Sequence, residues 1–299
     1  MGLPTAAQRY LRAMGLIGRP RVWSFRTHYT GLLRLRLGGR WMPMRAWQYN
    51  ALPPTRLVRM RLRLAGVLPM TGWDSYLHGH GQMRGKLLGL VPVASGTGPE
   101  FDVSELVTWL NDAVLFAPSM LLNSATTWTA ASTDNTFDIA VTDAGHRVQA
   151  RVVLDTDGRP HSFSTTDRWA ALPGGLVRAQ WMTPVTGWQV IDGRPLPTGG
   201  NAVWQLPDGP FHYAHIDIPA DGSTTTSRRA TPVSSERCLT SAQPPHDDPR
   251  ITKWLDQSMS CLVPLCSVCR APPPKKAFGP GRVGLRPSLS RIRAACLTA

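Results

Sequence analysis

Residues 83–102 read MRGKLLGLVPVASGTGPEFD: an apolar run, a glycine-bearing loop, then an acidic helix start. A lysine beside glycines ahead of a helix invites comparison with a phosphate cradle. That cradle requires GxxxxGK followed by Ser or Thr, with the helix opening at the lysine. Here Lys86 is followed by Leu87 and Leu88, and the spacing of Gly96, Gly98 and Pro99 does not make a dinucleotide fingerprint. Glu100 and Asp102 would also repel a phosphate at a helix N-terminus. The stretch therefore reads as structure. LLGLVPV is expected to be a buried strand, ASGTGPE a connection, and Asp102 the cap of a helix, with Glu105 at the capping-box spacing. Val103, Leu106, Val107, Leu110 and Val114 form one apolar stripe along that helix, which Pro118 stops or kinks.

On either side of this helix the chain alternates with the period of β-structure. A short helix precedes the first strands. Pro4 suits its first turn, Ala7, Tyr10, Leu11 and Met14 share a face, and Gly15 can end it. Strands are then expected at residues 22–29, 32–37 (LLRLRL) and 58–64 (VRMRLRL). In the last, Arg59, Arg61 and Arg63 point to water while Met60, Leu62 and Leu64 point to a covered face. After the central helix, alternating segments are punctuated by Asp143-Ala144-Gly145, Asp157-Gly158, Asp192-Gly193 and Asp208-Gly209. Asp-Gly between alternating runs marks hairpins, because glycine takes the positive φ such turns need. The expected fold class is α+β: a mostly antiparallel β half-barrel or curved sheet, with a short N-terminal helix and one central helix packed on it.

Composition sets the limits of this domain. The chain has 299 residues and a net charge of +14, and 29 of its 33 basic residues are arginine. The first 73 residues hold 13 arginines and no carboxylate. Such a gradient suits an anionic membrane surface as a partner. Nucleic acid is disfavoured, since the arginine faces lack interleaved aromatics for stacking bases. Past residue 220 the chain turns rich in Ser, Thr, Pro and Arg, a composition that buries too little surface to offset the entropy of ordering. The expected organisation is a single antiparallel-sheet domain over 1–220 and a low-complexity, disordered tail over 221–299. No apolar run approaches the ~18 residues of a membrane-spanning helix, and MGLPTAAQRYLRAMG lacks a signal-peptide core. A cytoplasmic location is the expectation from the chain as it stands. Oligomeric state is left open.

Motifs for catalysis are sparse. There is no GxSxG elbow, no HExxH and no separable carboxylate pair. The five cysteines all lie in 238–296, and the CxxC at Cys266 and Cys269 has no second pair to complete a zinc site. No metal and no cofactor is expected. His78 and His80 lie two apart, so on a strand they would share a face with Asp74; an enzyme of unrecognised class at Asp74, His78 and His80 is the alternative function. The leading one comes from the aromatic and methionine load. A curved sheet with one helix across it encloses a cavity, and bulky adaptable side chains suit a lipid-like ligand. Non-catalytic binding of a hydrophobic or amphipathic small molecule is expected, lined by Met60, Leu62, Leu64, Tyr76, Met83, Leu106 and Leu110.

Four segments in order (RYLRAMGLIGRP, RWMPMRAWQYNALPP, GKLLGLVPVASGTGPEFDVSEL and WQLPDGPFHY) resemble a bacterial domain family of unknown function, over roughly residues 3–218. The resemblance implies no catalytic residues. Its strand–helix–strand order is similar to periplasmic lipoprotein carriers, which implies a half-barrel sheet with a helical lid. Members of the family finish with one more strand, whereas here Pro219 interrupts and the Cys/Pro-rich end follows, as a frameshift would produce.

Overall fold

The structure is a computed structural model, and it describes residues 2–172, 174–220 and 224–228. The chain opens with helix α1 (Thr5–Ala13), whose buried face is Ala6, Ala7, Tyr10 and Leu11. Six strands follow as a meander: β1 (Val22–Leu33), β2 (Met42–Ala51), β3 (Thr55–Leu64), β4 (Leu68–Leu77), β5 (His80–Leu87) and β6 (Val91–Thr97). Helix α2 (Pro99–Phe116) and a 3-10 turn (Pro118–Leu121) come next. A second meander comprises β7 (Thr126–Ala130), β8 (Thr136–Asp143), β9 (His146–Leu154), β10 (Pro160–Leu172), β11 (Gly175–Ile191), β12 (Arg194–Leu206) and β13 (Gly209–Asp217).

The two meanders form one sheet in the order β6-β5-β4-β3-β2-β1-β13-β12-β11-β10-β9-β8-β7. Their seam is β1 against β13, antiparallel from Thr30–Asp217 to Leu33–Ala214. All pairings are antiparallel, so the chain is an α+β half-barrel, one curled sheet with a short N-terminal helix and one central helix. Curling is imposed by α2, which touches β4 and β5 from the first meander and β9 and β10 from the second. At one end the two arms meet. A Cβ at Gly79, in the β4–β5 turn, would lie 2.3 Å from the Cβ of Ala144 in the β8–β9 turn, and the Tyr76 hydroxyl donates to Asp143 at 2.8 Å.

Turn chemistry explains most of the hairpins. Ala144-Gly145 and Asp192-Gly193 have paired positive φ values (47° and 84°, 52° and 69°), the arrangement that matches the right-handed twist of flanking strands. His78-Gly79 does the same, at 51° and 84°.

Four expectations are corrected. Residues 34–37 of LLRLRL are not strand: β1 ends at Leu33, and Leu35 and Leu37 are exposed. Arg34 leaves the alternation because its Nε donates to the His212 carbonyl and its guanidinium lies over Trp41 and Phe211. LLGLVPV is not a buried strand either. Leu88 to Leu90 make the β5–β6 turn, and β6 is an exposed edge strand with Val91 and Val93 in water. The central helix starts three residues before Asp102, since Pro99 at its first position needs no N–H partner. Asp102 Oδ1 instead accepts the backbone N–H of Gly81 at 2.7 Å. Finally, Pro219 does not end the pairing: β14 (Thr225–Arg228) runs antiparallel to Val22–Arg26 of β1, on the strand edge that β13 uses further along. The rest of the expected tail, with all five cysteines, lies outside the described residues.

Close approach at Gly81 gives a direct test of how α2 is seated. A Cβ there would meet the Phe101 carbonyl oxygen at 2.1 Å and the Asp102 nitrogen at 2.8 Å, both backbone atoms. Gly81→Ala is expected to push the first turn of α2 off β5 and to cost about 1–3 kcal/mol, as overpacking does. Denaturant midpoints measure it; an unchanged midpoint would contradict the seating.

Candidate functional site

Helix α2 is buried almost all round, and its two faces do different work. The apolar stripe, with Leu106, Val107, Leu110 and Val114, belongs to the hydrophobic core. There Tyr10 packs on Phe137 with ring centroids 5.3 Å apart and donates its hydroxyl to the Val114 carbonyl at 2.7 Å. The opposite face carries Ser104, Thr108, Asn111 and Leu115, at i, i+4, i+7 and i+11, flanked by Glu105 and Asp112. At 3.6 residues per turn these line up along one side. That polar side faces the concave sheet across a cavity of about 320 Å³.

Burial of this polar face is made possible by Arg56. It belongs to the even-numbered row of β3 with Val58, Met60 and Leu62, so period two turns it inward. Its Nη1 donates to Glu105 Oε2 and its Nε to Asp112 Oδ2, both at 2.8 Å. The two carboxylates are seven residues apart, two helical turns, and one guanidinium spans them. Gln48 Nε2 also donates to Asp112 Oδ2 at 2.7 Å. Asn111 Nδ2 donates to Asp112 Oδ1 at 3.4 Å, and Asn111 Oδ1 accepts from Thr183 Oγ1 of β11 at 2.6 Å. Hydrogen bonds thus connect β2, β3, α2 and β11 across the cavity.

Two further charged residues complete the polar wall. Asp74 of β4 sits between Val58 and Met83 in the cross-strand register, and Arg168 of β10 comes from the other arm of the sheet. Both line the cavity. The Arg168 guanidinium lies over the Trp181 and Trp204 rings, at 4.2 and 5.4 Å, and its Nη1 donates to the Tyr213 hydroxyl at 2.9 Å. Trp181 Nε1 donates to the same hydroxyl. Among the described residues, Asp74 Oδ1 and Arg168 Nε are buried with no hydrogen-bond partner.

The buried acids of this wall respond to their surroundings. Burial pushes the Glu105 carboxyl up to about 7; the neighbouring Asp74 and Asp112 charges push the same way, while Arg56 and Arg168 pull it back. Asp74 is also raised, by burial first, against the pull of Arg56 and Arg168. For Arg56 desolvation pulls down, but the charges of Asp112, Glu105, Asp74 and Tyr29 together outweigh it and keep the guanidinium charged.

Of the residues expected to line a cavity, Met60 and Met83 are on its wall. Leu62, Leu106 and Leu110 are in the hydrophobic core, and Leu64 packs against it. Tyr76 is fully buried and turned to Asp143. An apolar helical stripe fills its own space, so the cavity is left on the face where short polar side chains stand off from the sheet. Asp74, His78 and His80 are not brought together. His78 is in the β4–β5 turn, which breaks the shared face, and His80 is exposed, its Nδ1 3.7 Å from Asp102 Oδ2. His146 Nε2 approaches Asp102 from the other arm at 3.9 Å. Among the described residues no group of three or more His, Cys, Asp or Glu is placed to hold a metal ion, and no helix is long and apolar enough to cross a membrane.

No curated protein matches the chain. Among solved structures, a putative outer membrane lipoprotein-sorting protein domain from Vibrio parahaemolyticus is similar over 74% of this chain and 90% of its own, at 12% identity and a TM-score of 0.40. A DUF1329 family protein from Desulfovibrio piger is similar over 73% and 92%, at 13% identity and 0.40. A LolA superfamily protein from Nitrosomonas europaea is similar over 76% and 94%, at 13% identity and 0.39. A sequence family matches residues 1–216, which include both meanders but for the last residue of β13, and α2 with its charged face. By that match the chain belongs to the family of unknown function DUF6544.

Proposed function

We propose that the chain binds a small amphipathic molecule in the cavity between α2 and the sheet, without chemistry on it. The observation that carries this reading is the make-up of the wall. Methionine and aromatic side chains (Met44, Met60, Met83, Trp169, Phe211) supply a large apolar surface, while Arg56, Asp74, Glu105, Asp112 and Arg168 gather at one polar region. A volume of about 320 Å³ falls at the small end of the ~300–1,000 Å³ usual for ligand sites. Buried unpartnered polar atoms cost free energy that a bound polar group would recover. The apolar remainder suits a hydrocarbon or ring portion, and methionines adapt to its shape.

Titration with the uncharged fluorophore N-phenyl-1-naphthylamine tests this. The expected result is a saturable fluorescence rise with one site per chain, together with an amphiphile extractable by organic solvent from protein purified from cells. A linear, non-saturating rise and an empty extract would sink the proposal.

A further inference from the structure

The polar end of the cavity has a defined donor–acceptor demand, and from it we infer the chemical class of the ligand's headgroup. This rests on the amphiphile-binding reading above and sharpens it. Arg56 already donates from Nη1 to Glu105 and from Nε to Asp112. Asp74 and Arg168 are different. Each lines the cavity, and each has one buried atom without a partner: Oδ1 of Asp74, which accepts, and Nε of Arg168, which donates.

The backbone of Asp74 is placed in the β3-β4-β5 ladder by its register with Val58 and Met83. Arg168 is clamped on two indole faces and tied to Tyr213. The two residues come from strands with six others between them in the sheet, and only the curl around α2 puts both on one cavity.

The structure assigns this pair as a receptor for an uncharged group that both accepts and donates a hydrogen bond, such as a carboxamide, whose oxygen takes Arg168 Nε–H and whose N–H is given to Asp74 Oδ1. A carboxylate would satisfy Arg168 but leave Asp74 without a donor and add a fourth acid to three already buried. An ammonium would satisfy Asp74, leave Arg168 Nε without an acceptor, and add a cation beside Arg56 and Arg168. An ester accepts but does not donate.

The test is displacement of N-phenyl-1-naphthylamine at pH 8 by four amphiphiles of equal chain length: dodecanamide, dodecanoate, dodecylamine and methyl dodecanoate. The amide is expected to displace at about tenfold lower concentration than each of the others, since one orphaned buried polar group is worth about that factor. In Asp74→Leu the amide should lose its advantage over the ester. The readout is the ratio within that variant, so a general loss of affinity cancels, and the series on the unaltered protein decides alone if the variant fails to fold. Probe binding with dodecanoate, dodecylamine or the ester displacing as well as the amide overturns this inference and leaves the binding reading intact. Absence of probe binding overturns both.

Discussion

Replacing Arg56 by methionine is expected to cost about 3–5 kcal/mol, the usual penalty for removing one partner of a buried ion pair. Arg56 is 6% exposed, with Glu105 at 4% and Asp112 at 7%. Without the guanidinium both carboxylates stay buried along one side of α2, and either must take a proton or draw water into the core. Gln48 and Asn50 still reach Asp112, but nothing replaces Arg56 at Glu105 Oε2. The loss is in the charge, not in packing, because methionine fills most of the same volume. Hence Arg56→Met combined with Glu105→Gln and Asp112→Asn should recover most of the stability. Guanidinium unfolding with the slope checked for constancy measures both variants. A single-variant loss under about 1 kcal/mol, or no recovery in the triple variant, would contradict a buried electrostatic clamp.

Stability should fall as pH rises from about 4.5 to about 7. Glu105 titrates near 4.5 when unfolded, and burial lifts it to about 7 in the folded chain. Between those values the native state holds a proton that the unfolded state has lost. Folding is therefore favoured on the acid side, and the advantage shrinks with rising pH until it is flat above 7. The difference of the two values corresponds to about 3 kcal/mol at full effect. Asp74, raised for the same reason, acts in the same direction. This is the reverse of the usual buried carboxylate held ionised by a salt bridge, and it arises because burial outweighs the pull of Arg56 and Arg168. Urea midpoints at pH 5, 6, 7 and 8 for the parent protein and for Glu105→Gln isolate the group. The parent should lose stability relative to the variant as pH rises; a relative gain would place the Glu105 pKa below its unfolded value.

Much of the fold was legible in sequence because it rests on local rules. Asp-Gly and Ala-Gly turns, period-two strands and the apolar stripe of α2 each need only neighbouring residues to be read. The site was harder, and the reasons are specific. Glu105 and Asp112 look like the solvent face of an amphipathic helix, and only the curl of the sheet over that face buries them. Arg56 was within reach: it shares parity with Met60, Leu62 and Leu64, so the row that turns them inward turns it inward too. The spacing of Glu105 and Asp112 on one side of α2 was the matching signal. Asp74 and Arg168 are brought to one cavity only by the curl of the sheet, which no local pattern encodes. The His78–His80 pair misleads because a two-residue turn looks like continued strand when glycines flank it. LLGLVPV misleads because apolar composition does not distinguish a buried strand from an exposed edge.

A crystal structure of the protein grown with a saturating dodecyl amphiphile tests the central claim most directly. Ligand density is expected in the cavity under α2, its chain along Met60 and Met83 and its polar end at Asp74 and Arg168. An empty cavity in such crystals, or density confined to the outer surface of the sheet, would contradict it.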